Sequence, residues 1–305
     1  MSNYLESLSI SRRNTFLSCR KKHYYQYVEK LKTLPTDMST ETWQNFCRGT
    51  LIHKKIECVF RGNSWEQGLK EVHEREERNG MTDERRAMMP EMAASAELVG
   101  QAVVDFMNWE DWEPLVDANG VQMIEYKVTA PLPGFPGGFL GYIDLVSRHK
   151  PTNTVWIIDW KSRGNFASDD TGKFDLQLAA YQQCLRKQGI NVTGTALLEV
   201  KPEPPKRKPR YQREDTGSFL GVRQSVDGRI RWTPTFRPPE LLDSLWANLE
   251  REAASIWKAQ RDPSEIFVNT SAFNCGSCKY SRLCMAKLNG EDADHVQNAS
   301  FEVTE

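Results

Sequence analysis

Asp144, Asp159 and Lys161 are the residues from which chemistry is most readily built. Residues 139–147 and 154–161 read as strands, joined by a connection that contains Pro151, Thr152 and Asn153. A turn centred between 151 and 152 places Asp144 opposite Asp159. Directly opposed residues of an antiparallel pair hold their Cβ atoms about 5 Å apart. Two carboxylates at that separation repel unless a cation lies between them. A one-residue slip would move one of them to the other face. Asp159 and Lys161 are two apart and share a strand face, while Trp160 points the other way. The run Val155-Trp-Ile-Ile158 is apolar on both faces, as in a central strand, and charge appears only at its end, where it emerges into a cleft. Paired acids hold a hard cation through oxygen. Such a cation polarises a phosphate and generates hydroxide, and a lysine beside it orients water or steadies developing negative charge. Taken alone, Asp159-Trp-Lys161 reads sooner as a salt-bridge cluster at a strand end; the opposed Asp144 turns the reading towards a metal site for phosphodiester hydrolysis.

A second constellation is Cys275-Gly-Ser-Cys278 followed by Cys284. Three thiolates this close repel or oxidise unless they hold a metal. A fourth ligand is required, and Cys19, in Ser18-Cys-Arg-Lys-Lys-His-Tyr24, is the first candidate, with Cys47 the next. The chain has seven cysteines, and an odd count is a poor disulfide framework. Cys47, Cys58 and Cys184 otherwise read as small buried apolar residues.

The elements that must position these groups follow from periodicity. Residues 11–31, 48–60, 175–188 and 239–260 carry helical patterns, the last begun by Pro238-Pro239. A charge-rich helical stretch covers 65–113, broken by Gly80 and Pro90. Strands are expected at 121–129, 139–147, 154–161 and 194–200, and a hairpin of 218–226 with 229–235 turns at Asp227-Gly228. Residues 289–305 carry five acids and no lysine or arginine, and read as a disordered tail.

The net charge of −1 excludes a wholly basic coat protein, but local fields matter more than the total. Between 201 and 213, basic residues including Lys206, Arg207, Lys208 and Arg210 are mixed with prolines that keep the chain extended. Such a strip reads as a phosphate-following track or as a solvated loop. Tyr211 and Trp232 offer faces on which single-stranded bases could stack. No apolar run approaches the roughly 20 residues of a membrane helix, and no secretory signal is evident, so the expected setting is cytoplasmic, with no membrane partner.

Taken in order, the motifs resemble those of RecB-like PD-(D/E)XK nucleases. Gly49-Thr-Leu-Ile-His53 is similar to that family's GxxxH helix, Gly141-Tyr-Ile-Asp144 to its GxxD strand, Asp159-Trp-Lys161 to its (D/E)XK signature and Gln177-Leu-Ala-Ala-Tyr181 to its QxxxY helix. The cysteines resemble the iron–sulfur branch, which includes AddB nuclease domains and CRISPR-associated exonucleases. The likeness runs from about residue 9 to 286.

It implies an α/β restriction-endonuclease-like core, a mixed sheet flanked by helices, with an inserted helical lobe at about 61–120. The core would cover about 121–235, and a C-terminal helix and cluster segment 236–288, all within one nuclease domain of 1–288. His53, Asp144, Asp159 and the Trp160 carbonyl would hold Mg²⁺ or Mn²⁺, and Lys161 would be the catalytic lysine. Gln177 and Tyr181 would contact DNA or steady that lysine, and Glu125 is an additional site acid. Cys19, Cys275, Cys278 and Cys284 would hold a [4Fe–4S] cluster joining the N- and C-terminal segments, with Zn²⁺ as the alternative.

The expected activity is hydrolysis of DNA from free, preferably single-stranded ends, in recombination, repair or replication. No phosphate-binding helicase loop is found, so unwinding would need a helicase or recombination partner. The rivals are a nuclease subunit of a recombination or CRISPR-adaptation complex, a non-catalytic DNA-binding module on the same fold, and a zinc-binding structural protein.

Overall fold

A computed structural model describes residues 7–34, 38–168, 170–203 and 219–303. In chain order the helices are α1 (Ile10–Ser18), α2 (Arg20–His23), α3 (Thr40–Arg61), α4 (Trp65–Arg78), α5 (Asp83–Met107), α6 (Thr171–Phe174), α7 (Leu176–Lys187), α8 (Pro239–Ala259), α9 (Ala272–Gly276), α10 (Ser281–Asn289) and α11 (Ala293–Ser300). The strands are β1 (Leu31–Thr33), β2 (Trp112–Pro114), β3 (Ile124–Ala130), β4 (Phe139–His149), β5 (Thr154–Ser162), β6 (Gly194–Val200), β7 (Arg223–Gln224), β8 (Ile230–Thr235) and β9 (Phe301–Val303).

The chain divides into two compact units. The larger comprises residues 40–128 and 142–246. Its sheet has the order β2-β4-β5-β6-β8-β7, with β3 also paired to β4. β4 and β5 are antiparallel, β5 and β6 parallel, and β6 and β8 antiparallel, so the sheet is mixed as expected. The parallel step needs a crossover, and α7 supplies it. β6 is buried along its whole length, as a strand covered on both faces must be.

The helices begin where their caps allow. Thr82 accepts from Arg85 N–H at the start of α5, and Asp175 accepts from Leu178 N–H at the start of α7. Gly80 separates α4 from α5, but Pro90 does not break α5. Flanking apolar burial by Met89, Met92 and Ala93 outweighs its lost hydrogen bond. The Asp227-Gly228 turn forms as expected, with Gly228 at φ +67°, although the first strand of that hairpin shortens to β7.

The smaller unit comprises residues 1–39, 129–141 and 247–305. Residues 11–31 are not one helix. The chain breaks at Cys19, widens into a π turn at Tyr24–Val28 and ends in β1. The disordered tail expected at 289–305 is also corrected. Residues 293–300 form α11, capped by Asp292, and β9 pairs antiparallel with β1. The acids dominated the composition there, but Phe301 supplies the driving force. It joins Tyr25, Leu31, Tyr280 and Leu283 in a buried cluster and stacks on Tyr280 at 5.3 Å.

Candidate active site

The side chains singled out in the nuclease motifs are delivered by four elements of the larger unit, α3, β4, β5 and α7. α3 runs past the end of β5, where a Cβ at Gly49 would meet Ser162 Cβ at 3.7 Å, an ordinary contact. One turn on, the His53 ring stands edge-on to Trp160, 6.2 Å between centroids, and Trp160 lies parallel to Phe60, which is also on α3. Trp160 is fully buried, so it fixes the imidazole's orientation.

The β4–β5 ladder pairs Leu145 with Ile158 through to His149 with Thr154, the register that sets Asp144 against Asp159. The ladder stops one rung short of them. There the Asp144 carboxylate replaces a backbone acceptor, with Oδ2 receiving the Trp160 N–H at 2.9 Å. Asp159 is 1% exposed and paired with Lys161, whose Nζ lies 3.0 Å from Oδ1 and 2.8 Å from Oδ2. Oδ2 feels that charge but has no aligned donor.

Glu125 enters from β3 with φ +48°, a left-handed conformation that costs a non-glycine residue about 1–3 kcal/mol. One ligand atom each of His53, Glu125 and Asp144 lies within 4.8 Å of the others. The acid held as additional is therefore part of the tightest group, while Asp159 is engaged by Lys161. Trp160 contributes its N–H to Asp144 and its indole to His53.

On α7, Gln177 Nε2 donates to the Tyr181 hydroxyl at 2.9 Å. Burial, and then the nearby Asp159 and Asp144, push that hydroxyl up to about 12. Burial lowers His53 to about 4, with Lys161 adding to the effect, so its imidazole is neutral at pH 7 and free to ligate. Asp144 is raised well above the usual carboxylate range, first by burial and then by Asp159. Asp159 is raised by burial against the pull of Lys161. Burial opposes the charge on Lys161, but Asp159 and Asp144 outweigh it and hold the ammonium.

The sequence reading missed Glu199. It is a lone acid in the apolar run of β6, paired in register with Lys161. It is buried, accepts the Ala167 N–H at 2.9 Å and pairs with Arg163 at 3.2 Å, and so anchors the loop leaving β5. An isolated charge in an otherwise buried strand was the available signal.

With that geometry in hand, the sequence model of the PD-(D/E)XK nuclease superfamily matches residues 7–285. The chain belongs to the PD-(D/E)XK nuclease superfamily. No curated protein matches it. Superfamily members are generally nucleases that use divalent metals, and the mixed sheet flanked by helices fits that core. The donor set fits a hard cation: a neutral imidazole and two carboxylates converge, and one oxygen of buried Asp159 lacks a donor.

The superfamily core carries a pH expectation. Asp144 and Asp159 hold protons above the usual carboxylate range, so they favour the metal-free fold at low pH. That contribution is lost as pH rises through their raised values. A cation favours the ionised forms, so the rise in melting temperature on adding Mn²⁺ should be larger at pH 8 than at pH 5. At a hundredfold excess over Kd the gain should be about 2.7 kcal/mol. Asp144→Asn should abolish it. An equal shift at both pH values, or in the variant, would place the ion elsewhere.

Cys19, Cys275, Cys278 and Cys284 lie in the smaller unit. Cys19 is buried at the junction of α1 and α2, Cys275 is in α9 and Cys284 in α10. Cys278 and Cys284 pack against the Tyr25–Tyr280–Phe301 cluster. Burial raises the Cys284 thiol, and the charges of Cys278 and Cys19 raise it further, so these three are neighbours. Among the described residues no three of the sulfurs lie within 4.8 Å of one another. The four sulfurs are therefore not clustered in the structure.

Lys206, Arg207, Lys208, Arg210 and Tyr211 lie outside the described residues. Trp232 is corrected as a stacking face: it is buried against Trp112 and Trp156. Among the described residues no helix is long and apolar enough to cross a membrane.

Proposed function

We propose that the protein is a Mg²⁺- or Mn²⁺-dependent deoxyribonuclease that hydrolyses phosphodiesters from free DNA ends, with a preference for single strands. The observation that carries this is the convergence of His53, Glu125 and Asp144 beside the buried Asp159–Lys161 pair. In this reading His53, Asp144, Asp159 and the Trp160 carbonyl hold the cation, with Glu125 completing the set. When bound, the ion polarises the phosphate and acidifies a water. Lys161, kept protonated by its two acids, orients that water and steadies charge on the phosphate oxygens. Tyr181, tethered by Gln177, lines the same space and steadies Lys161 or contacts DNA. Trp160 keeps His53 in its ligating orientation. Unwinding of duplex would fall to a helicase or recombination partner.

End-labelled linear and covalently closed circular single strands, incubated with Mg²⁺ or Mn²⁺, test the mode. Linear DNA should be degraded and circles spared. Efficient cutting of circles would make the enzyme an endonuclease, and failure to cut either would remove the nuclease activity.

The same proposal places a [4Fe–4S] cluster on Cys19, Cys275, Cys278 and Cys284, supported by the neighbouring Cys19, Cys278 and Cys284. Cys275 is one turn from Cys278, whose N–H donates to its carbonyl at 3.2 Å.

A further inference from the structure

The single turn α6 joins the loop after the Asp159 strand to the helix carrying Gln177 and Tyr181, and it is held unusually firmly. Arg237, itself buried, donates Nη1 to Thr195 Oγ1 at 2.8 Å and Nη2 to the carbonyls of Gly172 and, at 3.4 Å, Asp175. Gly172 lies flush on β8, where a Cβ would collide with Thr235 Oγ1. Asp175 caps α7 and is close enough to Asp159 to act on its charge. Between these pinned residues stands Phe174, 82% exposed. A flexible loop leaves an apolar ring in water by default; here a buried guanidinium and a glycine fix the backbone that presents it.

Two more exposed aromatics belong to elements that build the same site. Tyr142, 52% exposed, lies two residues before Asp144 on β4 and so on the same strand face. Its main chain meets the Tyr181 hydroxyl. Phe46, 67% exposed, lies two helical turns before His53 on α3, on the side where Gly49 faces Ser162. Scattered exposed apolar residues need no explanation. Two aromatic rings on the strand and helix that carry Asp144 and His53, and a third on the turn that leads into the helix of Tyr181, do.

We infer that Phe174, with Tyr142 and Phe46 on other elements that build the site, is a stacking platform for unpaired nucleobases at the approach to the carboxylates. Aromatic faces bind any base because every base has a π-face, which gives affinity without sequence preference. Bases in a duplex already stack on one another and offer no free face. The platform therefore selects single strands, while the acids act on the backbone they deliver. This rests on the nuclease reading for the identity of the strand, but stacking itself needs no hydrolysis.

Binding without divalent cation tests it separately from cleavage. Dissociation constants are measured for single-stranded oligothymidylate, for an abasic deoxyribose-phosphate oligomer of equal length and for a hairpin-capped duplex. Phe174→Ala should weaken oligothymidylate binding about tenfold, the roughly 1.4 kcal/mol of one stacked base. It should leave the abasic and duplex constants unchanged, and Phe174→Tyr should restore binding. The ring is exposed, so the melting temperature should not move; a drop would disqualify that variant, and Tyr142→Ala then carries the comparison. An equal loss on all three ligands, no loss, or no binding of oligothymidylate by the unmodified protein would overturn the platform. Single-strand discrimination without any cleavage in Mg²⁺ or Mn²⁺ would instead remove the nuclease reading and leave the platform standing.

Discussion

Asp159→Asn and Lys161→Ala should each lower DNA cleavage by about a thousandfold or more, while single-strand binding stays within a few-fold of the unmodified protein. Asp159→Asn keeps the side chain's shape and removes the charge that a hard cation needs. Removing one preorganised charge or donor from such a site commonly lowers the rate by about 10²–10³, and losing a ligand adds lost metal occupancy. Lys161→Ala acts through a different route. It leaves Asp159 buried without its counter-charge, and that carboxyl, already raised by burial, is raised further once the lysine's pull is gone. Adding Mn²⁺ at pH 8 should recover part of the ligand function in Lys161→Ala but none of the activity that depends on the ammonium. In Asp159→Asn no pH should recover activity. Single-turnover cleavage with circular dichroism as a folding control decides the matter, and cleavage at the unmodified rate by either variant would remove the pair from the mechanism.

The central hairpin was legible because its constraints are local. A Pro-Thr-Asn turn fixes the register, and strand alternation then fixes which charges share a face, so the opposition of Asp144 and Asp159 could be read from spacing alone. Lys161 followed from the same alternation. Glu125 was harder. It reaches the site through a left-handed backbone that no propensity argument would assign to a glutamate inside a strand. Glu199 showed only as a lone charge in an apolar run, and Arg237 and Phe174 were not legible. Their roles come from β6, β8 and the α6 turn meeting, a matter of tertiary packing rather than spacing. The end of the chain misled for a compositional reason. Its acids suggested a solvated tail, whereas one aromatic, Phe301, pairs that segment with β1.

The cysteine site gives the other large expected effect. Protein purified without oxygen should be brown and hold about four irons per chain. Cys19→Ser and Cys278→Ser should lose the iron together, because each removes one ligand of one site, while Cys47→Ser, Cys58→Ser and Cys184→Ser keep it. The three controls are buried in helices of the larger unit: Cys47 and Cys58 in α3, Cys184 in α7. Colourless protein with one zinc would keep the four-cysteine site and replace its metal. Full iron in Cys19→Ser would move the fourth ligand, with Cys47 next to be tested. The effect on stability should be smaller than a cross-link between positions 19 and 275 suggests. Closing so long a loop in an otherwise open chain is worth on the order of 5 kcal/mol, most of it entropy of the unfolded state. In the folded state the two segments are already joined without metal. Asn269 donates to the Ser18 carbonyl at 2.8 Å, Lys21 N–H to that of Phe267 at 3.1 Å, Arg20 pairs with Glu265, and β1 pairs with β9. These bonds persist when the iron leaves, so Cys19→Ser should melt early and locally, at the smaller unit, rather than lose its fold. Hydrogen exchange should show this as faster exchange in α1, α2 and α10 with protection of β5 and β6 unchanged. Uniform loss of protection across both units would mean that the metal holds the whole chain together and that these contacts do not.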